Sequence, residues 1–118
     1  MFTENESLLQ TLTKIQKYEL LEKLIQQLNK DLSLSGIHFQ FDPNMDPQFL
    51  KRQLSEIVLI LMKNDVQKFQ NFLYRIDISE NTYLSIKEEN DNKKSQIIMI
   101  LILKKEWQKV WFKNKNLQ

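Results

Sequence analysis

Apolar residues recur at helical spacing along the first part of the chain. One amphipathic helix is predicted over residues 7–32, with Ser7 as its N-cap. The apolar stripe drifts around this helix instead of repeating every seven residues, which disfavours a long two-stranded coiled coil. The stripe consists of Leu8, Leu12, Ile15, Tyr18, Leu21, Ile25, Leu28 and Leu32. Gly36 follows the stripe and is suited to the C-terminal end of the helix.

Residues 33–47 are the clearest loop in the pattern. Residues 37–41 alternate apolar and polar positions, which predicts a short strand or an extended segment laid over the core, with His38 pointing outward. Asp46 and Pro47 then predict the cap and the first residue of a second helix. An apolar stripe continues to Met62. Asp65 is predicted to cap a further helix over residues 66–76, after either a break or a kink.

The last third of the chain allows two predictions. Residues 77–80, Asp-Ile-Ser-Glu, match a capping box and predict a short helix to about residue 89. Residues 97–103 are all apolar, and such a run suits a helix or a strand. Because one helical stripe continues from it to Trp111, we expect a helix over residues 92–113. The alternative is an α+β fold with a β-hairpin at residues 82–103.

The pattern therefore predicts an all-α fold in which residues 1–118 form a single compact domain of about four or five helices, with one short extended segment at 37–41. Composition narrows the function. The chain has one Gly, one His and no Cys. Glycine-dependent nucleotide-binding loops, multi-histidine metal centres within one chain, and cysteine nucleophiles are thereby excluded. We expect no cofactor, no metal and no catalytic residue.

Three groups of residues are candidates for a chemical or binding role. His38, Asp42 and Asp46 could hold a divalent metal, but a turn and a helix cap require the same two carboxylates. Residues 74–80 bring Tyr74, Arg75, Asp77 and Glu80 to a helix junction, where a cap with an Arg–carboxylate pair explains them better than acid–base chemistry. The third group, at the C-terminus, is the candidate interaction surface. It consists of Lys104, Lys105, Trp107, Lys109, Trp111 and Lys113.

The charge of the chain is unevenly placed, although its net value is only +2. Residues 77–91 carry five acids and one lysine, whereas residues 93–118 carry seven lysines and one glutamate. The favoured interpretation is two solvated faces that attract each other across the fold. The alternative is a basic aromatic segment that meets an anionic partner such as nucleic acid. Trp107 and Trp111 share the apolar stripe, so a place in the core or in a dimer interface is preferred for them.

Two stretches resemble a group of short, uncharacterised bacterial helical proteins. They are residues 69–80, Phe-Gln-Asn-Phe-Leu-Tyr-Arg-Ile-Asp-Ile-Ser-Glu, and residues 101–110, Leu-Ile-Leu-Lys-Lys-Glu-Trp-Gln-Lys-Val. The similarity extends over most of residues 8–113. It implies an all-helical fold and supplies no activity, ligand or site residue.

The expected function is that of a small non-enzymatic interaction or adaptor protein of the cytoplasm. Helical surface that is apolar nearly all round, at residues 59–60 and 97–103, predicts self-association with a second copy or burial by an unidentified protein partner. A nucleic-acid- or anionic-surface-associated protein that uses the basic aromatic C-terminal helix is the less favoured alternative. No apolar run is long enough to span a membrane.

Overall fold

A computed structural model describes residues 20–116, and for residues 114–116 it describes only the backbone. Within this range the chain forms five α-helices and no strand. They are α1 (Leu21–Leu34), α2 (Pro47–Asn64), α3 (Val66–Arg75), α4 (Glu80–Leu84) and α5 (Asp91–Asn116). The predicted all-α class is confirmed. The alternative hairpin at 82–103 is wrong, because α4 and α5 occupy that stretch. The predicted Ser7 cap and the apolar stripe before residue 20 lie outside the described residues.

Local sequence signals account for most helix ends. At the end of α1, Gly36 adopts the left-handed conformation, with φ 81°, and the amide of Ile37 donates to the carbonyl of Leu32. At the start of α2, the side chain of Asp46 accepts from the amide of Gln48 at 2.8 Å. Both roles were predicted from the sequence.

The interruption after residue 64 is a break between two helices. Asp65 has φ −150°, outside the helical region, and its side chain accepts from the amide of Lys68 at 3.3 Å. It therefore caps α3, as predicted, and the chain changes direction there.

The predicted capping box at residues 77–80 is wrong in its register. Asp77 does not cap a helix. It terminates α3 with φ 66°, while the amide of Ile78 donates back to the carbonyl of Leu73. Because the side chain of Ile78 is buried beyond this turn, the next helix starts two residues later than the box implied. Ser79 is the cap of α4, which ends at Leu84 and not near residue 89.

Residues 37–42 run over the core without regular secondary structure. Of the two predicted forms, a short strand or an extended segment, the structure has the extended segment. Ile37 and Phe41 are buried, and His38 is exposed. The buried side chain of Asn29 on α1 holds the segment in place. Its amide donates to the carbonyl of Phe41 at 2.9 Å, and its oxygen accepts from the Phe41 amide at 2.8 Å.

α5 lies at the centre of the packing, against α2 and α1. Its apolar run, residues 97–103, has five buried and two half-buried side chains. The chain itself therefore covers this run. Two other helices of the same chain supply apolar surface to this run, and self-association stays a prediction. On α2, Leu59 is half-buried and Ile60 is exposed.

Candidate functional site

The C-terminal half of α5 carries the predicted interaction surface. Trp107 is half-buried and packs against the core, whereas Trp111 is 43% exposed and Phe112 is 65% exposed. The two indole rings lie 5.5 Å apart between centroids. Trp111 is therefore not part of the core of a single chain, since the stripe turns outward in the last turns of the helix, and the predicted alternative, a dimer interface, stays a prediction.

Three of the predicted surface lysines have partners within the chain. Lys105 lies 3.9 Å from the carboxylate of Asp77, which is the kind of attraction across the fold that the charge pattern predicted. Lys113 donates to the side-chain oxygen of Gln27 at 2.6 Å. Lys109 reaches the carboxylate of Asp31 at 2.9 Å. Lys104 is half-buried and has no ion-pair partner among residues 20–116.

Beneath this surface lies a buried charged cluster that joins three helices. It consists of Asp31 on α1, Arg75 at the end of α3, and Glu106 and Lys109 on α5. Asp31 is 1% exposed and Glu106 is 0% exposed. Arg75 donates through Nε to Oδ1 of Asp31 at 3.2 Å, and Lys109 donates to Oδ2. Asp31 thus has a cation at each oxygen.

Glu106 has no such support. Neither of its oxygens accepts a hydrogen bond from an N–H or hydroxyl donor among the described residues, and the ammonium of Lys109 stands 3.8 Å away. Burial, together with the neighbouring Asp31, raises the pKa of Glu106 to about 9. Glu106 is therefore protonated at neutral pH, and in that form it donates a hydrogen bond to Asp31.

Asp31 shifts in the opposite direction. Burial alone would raise the pKa of its carboxyl, but hydrogen bonds from Glu106, Lys109 and Gln27 outweigh burial and hold that pKa below its ordinary value. The two carboxyls consequently share one proton, which stays on Glu106. With Arg75 and Lys109 charged, the cluster has a net charge of +1.

An open cleft lies beside the cluster, between the end of α1, α3 and α5. Its volume is about 510 Å³. It is lined by Leu34, Ser35, Asn71, Tyr74, Arg75 and Lys109. No carboxylate is among these residues, so the cleft presents the cationic side of the cluster to solvent.

The other candidate groups have structural roles. Asp42 accepts from the amide of Asn44 at 2.9 Å in a turn, and Asp46 caps α2. His38, exposed, lines a different open cleft, and no group of three metal-binding side chains occurs in residues 20–116. The predicted Arg–carboxylate pair exists, but Arg75 pairs with Asp31 and not with Asp77 or Glu80.

Asp31 and Glu106 were not singled out from the sequence, although a signal was present. Each interrupts an apolar stripe on its helix. Glu106 falls between Leu103 and Val110, and Asp31 lies three residues after Leu28; all three of these apolar residues are buried. A charged residue on a buried stripe requires a proton or a partner.

No helix in the described part of the chain combines the length and hydropathy needed to cross a membrane. No protein-family model matches the chain, and neither a curated protein nor a solved structure is significantly similar to it.

Proposed function

We propose that the chain is a small non-enzymatic interaction or adaptor protein of the cytoplasm, and that it self-associates through the C-terminal turns of α5. The observation that carries the proposal is the exposure of two large aromatic side chains, Trp111 and Phe112, on consecutive positions of one helix. Aromatic side chains are enriched in protein–protein interfaces, where they contribute a large share of the binding energy.

The two rings extend in different directions around α5. Trp111 shares a face with Trp107 and Lys104, whereas Phe112 shares a face with Lys105 and Lys109. The exposed aromatic surface therefore covers a wide arc of the helix. A second helix packed alongside α5 would bury both rings at once.

A second copy is the occupant that the charges favour. Glu80 and Glu88 are exposed, and neither has an ion-pair partner among the described residues. Lys104 is likewise unpaired. The same chain thus offers acidic and basic groups that are free to pair across an interface, and such pairs guide orientation more than they add affinity.

The lysine contacts speak against the nucleic-acid alternative. A phosphate-binding surface needs several lysines and arginines free to meet phosphates. Here Lys105 and Lys113 already contact groups of the same chain. The buried carboxylate of Asp31 further reduces the positive field below Lys109.

Sedimentation equilibrium at micromolar concentration tests the proposal. We expect a mass above that of the 14.3 kDa chain. The Trp111→Ala variant should shift the equilibrium toward the monomer, since interface aromatics cost about 2 kcal/mol or more when truncated. Phe49→Ala is the matched control, because Phe49 is equally exposed, at 42%, but lies on α2. It should leave association unchanged.

Raising the salt concentration distinguishes the two functions. An apolar interface should hold or strengthen at higher salt, whereas binding to a single-stranded oligonucleotide would weaken steeply. A strictly monomeric parent would refute self-association. Salt-sensitive oligonucleotide binding that is lost in Lys104→Gln would establish the alternative instead.

A further inference from the structure

We propose that the cleft beside the buried cluster binds a small organic oxyanion, a carboxylate or phosphate group carried on an apolar body. The site consists of Arg75, Lys109, Asn71 and Tyr74, with Leu34 at its rim. The site is distinct from the aromatic surface of Trp111 and Phe112 that we propose for self-association, and Lys109 is the residue that links the two, since it lines the cleft and shares a face of α5 with Phe112.

Arg75 is the main ligand-binding group. Its Nε is used on Asp31, but its two terminal nitrogens have no hydrogen-bond partner among the described residues, and the side chain is 40% exposed. A guanidinium fixed through Nε by a buried carboxylate is restrained before any ligand arrives. Its two terminal NH₂ groups can then donate in parallel to both oxygens of a carboxylate or phosphate.

The remaining polar groups of the cleft supply further donors. The side-chain oxygen of Asn71 accepts from Gln67 at 3.0 Å, which leaves the amide NH₂ of Asn71 to donate. Lys109 donates one hydrogen bond to Asp31, and its side chain also lines the cleft. The phenol of Tyr74 completes a set in which donors outnumber acceptors.

The charge balance also favours an anion. Two cations line the cleft, and the charge of Asp31 beneath it offsets only one of them. Because Glu106 carries a proton, a bound monoanion brings the cluster from +1 to neutrality. The binding energy that an oxyanion gains is then not cancelled by a second buried carboxylate.

The size and rim of the cleft indicate the rest of the ligand. A volume of about 510 Å³ suits a small organic molecule. Leu34 is 55% exposed and Tyr74 is 88% exposed, so both can contact an apolar or aromatic body while its anionic group meets Arg75.

Amide chemical-shift titration of the full chain with benzoate and with phenyl phosphate tests the site. We expect saturable shifts at the amides of Asn71 and Arg75, with a dissociation constant of about 1 mM or below for at least one probe. The stronger probe identifies the preferred oxyanion. Benzamide, which has the same ring without charge, should bind at least about tenfold more weakly.

Two variants assign the binding to the cleft. Arg75→Gln should abolish it, while Arg52→Gln, a change of the other arginine, on α2, should not. Asn71→Asp places a negative charge in the cleft at an exposed position and so preserves the fold; we expect about fivefold weaker binding. Gln70→Glu is its matched control, at an exposed position of α3 outside the cleft, and should have a smaller effect.

Several results would overturn the proposal. They are the absence of saturable shifts with both probes, equal binding of benzamide, and binding that Asn71→Asp leaves unchanged. If Arg75→Gln does not fold, the comparison of Asn71→Asp with Gln70→Glu decides.

Discussion

Glu106 fits its buried position only when it carries a proton. The pKa of its carboxyl is about 4.5 in the unfolded chain and about 9 in the folded one. Between these values the folded chain binds more protons than the unfolded chain, so the free energy of unfolding falls as pH rises, by up to about 1.4 kcal/mol per unit. Asp31, whose pKa is lowered, acts oppositely: its contribution is present above the unfolded value of 3.8 and is lost as pH falls.

Glu106→Gln should remove the loss of stability toward alkaline pH. The side chain of glutamine does not ionise in this pH range, and its amide can still donate a hydrogen bond to Asp31. From about pH 5 to about pH 8, we expect the variant to gain roughly 2–4 kcal/mol of unfolding free energy relative to the parent. Urea unfolding at several pH values measures this difference. The exposed Glu56→Gln, on α2, is the control, and an equal effect in both variants would contradict the role of Glu106.

The residue scale shows where sequence reasoning stops. The apolar stripes place Asp31 and Glu106 at buried positions, and that could be predicted. The partners of these two carboxyls could not be predicted. The contact between Asp31 and Lys109, for example, spans 78 residues and depends on how α1 and α5 pack. For the same reason Arg75 was assigned to nearby carboxylates and not to Asp31. The aromatic surface of α5 was predicted, but not the cleft beside it.

At the scale of elements, helix ends that depend on neighbouring residues can be predicted from the sequence. Hydrogen bonds between residues far apart in the chain cannot. Gly36, Asp46 and Asp65 act within one helical turn, so each was assigned correctly. The start of α4 was predicted two residues too early, because Asp77 favours both a helix cap and a left-handed turn. The attachment of the loop by Asn29 left no local signal, since its partner lies 12 residues away.

Asn29→Ala should release the segment at residues 37–42. It leaves the buried amide and carbonyl of Phe41 without partners, and we expect a loss of about 2–4 kcal/mol of unfolding free energy. Denaturant unfolding measures it. Gln40→Ala is the control, since this exposed amide makes a 3.3 Å contact to the Asn29 carbonyl, and its loss should cost under about 0.5 kcal/mol. Similar losses in both variants would show that the Asn29 hydrogen bonds do not hold the loop.

At the scale of the whole molecule, α5 closes the fold. It has 26 residues, about 39 Å of helix, and it packs on both α1 and α2. Its second half brings Glu106, Lys109 and Lys113 against α1. The continuity of its apolar stripe predicted this helix. The same pattern suggested that residues 97–103 were surplus apolar surface, because the sequence does not show which helix becomes central when all of them pack.

Shortening the chain tests this closure. A chain of residues 1–113 retains every described side chain of α5 and should unfold cooperatively near the temperature of the parent. A chain of residues 1–104 lacks Glu106 and Val110, exposes the apolar face of α1, and should lose its cooperative transition. Circular dichroism during heating shows the difference. Similar sharp transitions in both chains would show that the second half of α5 is dispensable.

The apolar run at the centre of α5 has a consequence for the unfolded chain. Ile-Ile-Met-Ile-Leu-Ile-Leu, residues 97–103, contains no charge, proline or glycine, which is the composition of segments that stack into cross-β fibrils. Lysine pairs flank it on both sides, Lys93 and Lys94 before it and Lys104 and Lys105 after it. In a stack of strands these like charges would repel one another at every level, as gatekeeper residues do. These four lysines thus oppose the stacking of unfolded chains into fibrils, whatever they contact in the folded protein.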